Sequence, residues 1–132
     1  MPVVTNREWN TGVATGLLRL VVGAVLLRWR RPLAQHLAGA GPDDKLLPLI
    51  FGYFGLRDMT VGAMTLAATR PDGDIPKQVT QQGLADTTDA LLIGAVMSRG
   101  YISRPRGVAG IVLAGGTAVG EFATAIQLRR SR

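Results

Sequence analysis

Six ionisable side chains sit inside otherwise apolar stretches of this sequence: Arg19, Arg57, Asp58, Asp86, Asp89 and Glu121. Held together away from water, such groups suit acid/base chemistry. One carboxylate takes a proton from a water or hydroxyl, a second donates one, and an arginine orients the substrate or stabilises a developing oxyanion. Asp86 and Asp89, at i and i+3 on one helical face, form the natural pair, with Asp58 or Glu121 as the competing acid. Arg57 is their cationic partner and Arg19 a substrate-orienting one, while Tyr53 can donate a hydrogen bond and Gln82 can position water. Two arginines neutralise only two of the four carboxylates, so the cluster is expected to retain a proton unless another cation enters.

The elements that must position these groups follow from the breakers. At 132 residues the chain is one domain by length. Four apolar segments, roughly 12–29, 46–69, 77–98 and 107–128, are separated by "RRPLAQHLAGAGPDDK", "RPDGDIPK" and "RGYISRPRG", each combining proline, glycine and charge. Helices of about 20 residues rise about 30 Å, the thickness of a hydrocarbon core. The expected fold is all-α, a four-helix transmembrane bundle with a polar interior, and a soluble four-helix bundle is the alternative. Depth within each segment supports convergence. Arg19, Arg57, Asp58, Asp86 and Asp89 fall near segment centres, with Glu121 about one turn beyond. Face patterns agree: Gln78, Gln82, Asp86 and Asp89 form one polar stripe, Thr11, Thr15 and Arg19 another, and Thr117, Glu121 and Thr124 a third. In the second segment Tyr53, Arg57 and Thr60 share a face, with Asp58 turned about 100° away toward a different neighbour.

Composition places the charges. Hydrophobic residues make up 47%, mean hydropathy is +0.22, the net charge is +6 and there is no cysteine. The basic residues lie mostly between or beyond the apolar segments, whereas the segment interiors are net acidic. Basic rims suit anionic lipid headgroups, and no basic stripe with interleaved aromatics speaks for nucleic acid. Trp9 and Trp29, twenty residues apart, have the spacing of interfacial anchors at two faces of a bilayer. Gly12/Gly16 and Gly116/Gly120 have the four-residue spacing that lets membrane helices approach, the second pair offering a homodimer face. "PLAQHLAG" is expected to form a short interfacial helix using Leu33, Ala34 and Leu37, with His36 as an interfacial side chain. Arg7, Glu8 and Arg19 break the pattern of a cleavable leader, so the first segment is read as a retained helix, and a bacterial cytoplasmic membrane is the expected location. No metal and no cofactor are expected: "DTTD" is superficially like a magnesium-binding motif but lacks the paired acidic run, and there is one histidine and no cysteine.

"FGLRD", a following Gly62, "ADTTDA" and a final glycine-rich helix together resemble a family of small bacterial and fungal membrane proteins known as a domain of unknown function. The resemblance covers most of the chain. Some fungal members look like membrane-bound epoxide hydrolases or cyclases of natural-product pathways. It implies an acid/base role for Asp58, Asp86 and Asp89 with Arg57 as partner, and an epoxide or related apolar substrate, so the expected function is that of a small membrane enzyme performing hydrolysis, cyclisation or isomerisation. Three other readings compete. The charges can form an ion-pair network that fixes helix register, although the surplus of carboxylates speaks against it. They can serve a proton-coupled transporter or channel subunit. The chain can also be a non-catalytic membrane partner that uses its basic rims.

Overall fold

The computed structural model describes residues 4–131, so Arg132 of the basic rim lies outside it. Those residues are all-helical, with no strand among them. Five α-helices follow in order: α1 (Asn6–Arg28), α2 (Arg30–Leu33), α3 (Leu46–Ala67), α4 (Ile75–Ser98) and α5 (Arg104–Arg130), with a π-helical turn, Ala34–Ala38, after α2.

Three of the four long helices, α1, α4 and α5, begin earlier than their apolar runs, while α3 begins with its run at Leu46, and the chemistry of the first turns explains the difference. Thr5 Oγ1 accepts from the Glu8 amide at 3.2 Å while Glu8 Oε2 accepts from the Thr5 amide at 2.8 Å, a capping box that starts α1 at Asn6. Asp74 Oδ1 accepts from the Lys77 amide at 3.2 Å and starts α4 at Ile75. Pro76 and Pro105 occupy first turns, where a missing N–H costs nothing. The segment after Trp29 is helical as expected but turns inward: Ala34 and Ala38 pack against Leu47, Leu37 is 59% exposed, and Gly39 ends the turn at φ 73°, a left-handed value that favours glycine.

Two antiparallel pairs carry the architecture, α1 against α3 and α4 against α5. Glycines set the first spacing. Gly16 meets Gly62 and Gly23 meets Gly55, each pair with backbone oxygen where a Cβ would stand. Gly12 makes room for the Ile75 side chain. Within the chain, nothing lies within 4 Å of a Cβ at Gly116 or Gly120 among the described residues. Gly116→Ala and Gly120→Ala are therefore expected to stabilise α5 by about 0.5–1 kcal/mol each by removing helix-interior glycine. Thermal unfolding in detergent checks this, and a destabilised variant would show that another surface covers that face.

The burial pattern is inverted relative to a water-soluble domain. Gln82 and Thr65 are fully buried, while Leu113 is 74% and Leu91 70% exposed. The described residues form two small buried apolar clusters. Ile75, Val79, Ala125 and Leu128 close one end, and Ala34, Ala38 and Leu47 lie at the other. Between the two helix pairs the interior is charged.

Candidate active site

Arg19, at the middle of α1, is the hub. Gly62 on α3 admits its stem, because a Cβ there would lie 3.2 Å from Arg19 Cβ. Its Nη1 donates to Asp58 Oδ1 of α3 at 2.8 Å, and its Nη2 to Asp86 Oδ2 of α4 at 2.7 Å and to Glu121 Oε1 of α5. One guanidinium thus ties together all four long helices. The one-turn offset expected for Glu121 is spanned by the two side chains. Its planar fork of five donors suits this role, which an ammonium cannot copy.

Arg57 is the second hub. Its Nη1 donates to Asp89 Oδ1 and to the Ala85 carbonyl at 3.2 Å, and its Nη2 lies 2.7 Å from Asp58 Oδ1 and 3.7 Å from Asp86 Oδ1. The expectation that Arg57 and Asp58 point to separate partners is corrected by the direct bond between them. The flexible arginine stem folds back across the 100° that separates neighbouring Cβ directions. Asp58 nevertheless also takes Arg19, so it is shared by both cations.

Gln82 is anchored, its Nε2 donating to Thr65 Oγ1 at 2.7 Å. Four buried side-chain atoms have no hydrogen-bond partner among the described residues: Arg57 Nε, Gln78 Oε1, Gln82 Oε1 and Glu121 Oε2. Arg57, Gln82 and Glu121 all line one cavity of about 650 Å³ between the two helix pairs. Asp58, Asp86, Asp89 and Arg19 line it too, and its remaining wall is largely apolar, including Leu18, Val22, Phe54 and Ile93. The cavity lies on one side of the charged cluster, running toward the ends of α3 and α5 that carry Leu47 and Arg106, while the Ile75/Leu128 cluster fills the other end. Leu18 of α1 and Leu113 of α5 are exposed cavity-lining residues, so the cavity opens sideways between those helices.

The structure thus brings together seven of the eight sequence-expected site residues: Arg19, Arg57, Asp58, Gln82, Asp86, Asp89 and Glu121. Tyr53 is not among them. It is 50% exposed on the outer side of α3, against Phe54, and Thr60 of the same stripe is exposed as well. The aromatic rings at the cavity are those of Phe51 and Phe54, the centroid of Phe54 lying 5.8 Å from the Arg57 guanidinium carbon. Their spacing shows it: Leu47, Phe51, Phe54, Asp58 and Thr65 recur at helical intervals along one face of α3. Arg106 at the cavity mouth also escapes a reading that treats all rim arginines alike. Among the described residues no group of three or more His, Cys, Asp or Glu is arranged to hold a metal ion; the cation on which the carboxylates converge is a guanidinium.

In comparisons with known proteins, no family model, no curated protein and no solved structure matches this chain.

Proposed function

We propose that the chain is a four-helix integral membrane enzyme that performs acid/base chemistry on an apolar substrate, opening an epoxide by hydrolysis or by cyclisation. The membrane half of this reading is supported by α1 and α5, 23 and 27 residues long and apolar enough to cross a bilayer, and by the inverted burial described above. Each charge placed at a bilayer centre costs at least about 2.5–3.5 kcal/mol, a cost that paired and enclosed side chains reduce. Recovery of the protein in the supernatant after carbonate extraction would sink this half.

The chemical half is carried by one observation: partnerless polar atoms on side chains that line an otherwise apolar cavity. An unsatisfied buried donor or acceptor costs about 1–3 kcal/mol, which a water or a substrate oxygen recovers. Glu121 has Oε1 held by Arg19 and Oε2 without a partner, the arrangement of an oriented acid. Asp89 engages Arg57 through Oδ1. Gln82, fixed by Thr65, offers Oε1 to a water. In the proposed step a water in the cavity loses a proton to Asp89 as its oxygen bonds to an epoxide carbon. The carbon–oxygen bond of the ring breaks, and the released oxygen takes the proton of Glu121. Proton exchange from Asp89 back to Glu121 restores the starting state, and the net change is addition of one water. In cyclisation an internal hydroxyl replaces the water, loses its proton to Asp89, and the net change is an isomerisation. The epoxide itself is suggested by the family resemblance. The one-sided cavity favours an enzyme over a transporter, which needs a path to both faces.

Turnover of a long-chain epoxide by detergent-purified protein tests the proposal. Glu121→Gln and Asp89→Asn are each expected to lower turnover about 100-fold. Glu121→Gln replaces a proton-bearing acid by a neutral amide of similar shape and Asp89→Asn removes surplus negative charge, so folding is expected to survive. Turnover unchanged in both variants would overturn the site assignment, and absence of epoxide turnover by the wild type would overturn the reaction.

A further inference from the structure

We infer that the substrate is a single-chain anionic amphiphile whose headgroup is held by Arg106 while the far end of its chain reaches the buried carboxylates. The inference rests on reading the cavity as a substrate site and adds the substrate class. Arg106 is the one basic residue that lines the cavity outside the charged cluster, and it is exposed at the end opposite the Ile75/Leu128 cluster. Unlike Arg19 and Arg57, it makes no ion pair among the described residues. Arg106 Nη1 lies over Gly39, which ends the π-helical turn at φ 73° and leaves open the space that a Cβ would take.

The distance selects the length of the molecule. From Arg106, Thr117 and Glu121 lie three to four turns along α5, roughly 16–22 Å at 1.5 Å per residue. With carbon–carbon bonds of about 1.5 Å in a zigzag, roughly 13–17 carbons bridge that span. Between the two charged ends the wall is apolar, with Ile93, Val96 and Phe51 among its residues. A cation at the mouth, an apolar passage and carboxylates at the far end complement an anionic head, a hydrocarbon chain and an oxygen function within or beyond the chain.

Equilibrium binding of radiolabelled oleate, oleyl alcohol and octanoate to the protein in a non-ionic detergent tests this. Wild type is expected to bind oleate at least about tenfold more tightly than oleyl alcohol, the range of a charge-assisted contact, and octanoate weakly. Arg106→Gln is expected to erase the preference for oleate over oleyl alcohol, and Arg106→Lys to keep most of it. Equal binding of acid and alcohol by wild type, no binding of either, or a preference that survives Arg106→Gln would overturn the inference. The result separates from the enzymatic proposal. A carboxylate preference without epoxide turnover defeats only the reaction, and turnover of uncharged epoxides without the preference defeats only the headgroup assignment.

Discussion

Arg19→Met is expected to destabilise the protein by about 3–5 kcal/mol, the largest effect of any single side-chain removal in the charged cluster. Arg19 is 7% exposed and bonds carboxylates from three other helices, two of them at 2.7–2.8 Å. Without it, Arg57 alone faces Asp58, Asp86, Asp89 and Glu121. Like charges left in a low-dielectric interior repel and must either drive the helix pairs apart or take up protons. A fall in Tm in detergent on the order of 10 °C or more is expected. Arg19→Lys should fall between wild type and Arg19→Met, because it keeps the charge but loses the fork that serves three acceptors at once. The double variant Arg19→Met/Glu121→Gln should recover part of the loss. If the double variant were as unstable as the sum of both single changes, the coupling of Arg19 to Glu121 would be refuted.

Gly23→Val is expected to cost about 3 kcal/mol or more, above the usual range for an added core side chain. The atoms that a Cβ at this position would meet belong mostly to backbone: Gly55 O at 2.5 Å and the Met59 amide nitrogen at 2.7 Å. A flexible side chain can swing aside, but the backbone of a paired helix cannot. Relief requires α1 to move away from α3, and that movement also draws Arg19 off Asp58, four residues from the clash on α1. Gly55→Val should behave alike, since its Cβ would stand 2.7 Å from Gly23 O and the Leu27 amide. Unfolding measurements on both variants beside Gly116→Ala provide the contrast. Equal tolerance at all three positions would refute the close approach of α1 and α3.

Much of the charged cluster was legible in the chain because its logic is one-dimensional. Ionisable residues inside apolar segments stand out without coordinates, and position along a helix converts directly into depth at 1.5 Å per residue. That is why the chain alone puts Arg19, Arg57, Asp58, Asp86 and Asp89 at one level, with Glu121 about one turn beyond. Tyr53 failed for a related reason. It shares a stripe with Arg57, but that stripe does not face the interior. The arginine reaches inward by the length of its stem, whereas the rigid ring of Tyr53 stays where its Cβ points.

The sequence by itself determined the helical segments, the level at which the charges meet and their imbalance of four acids to two bases, because periodicity, breakers and charge are properties of chain order. Tertiary structure alone decided the rest. It set which acid each arginine holds, the contact between Arg57 and Asp58, the close glycine pairs Gly16/Gly62 and Gly23/Gly55, and the one-sided cavity with Arg106 at its mouth. These depend on how two helix pairs rotate and space themselves against each other. That is fixed by side-chain volume across an interface, which spacing along a single chain does not encode.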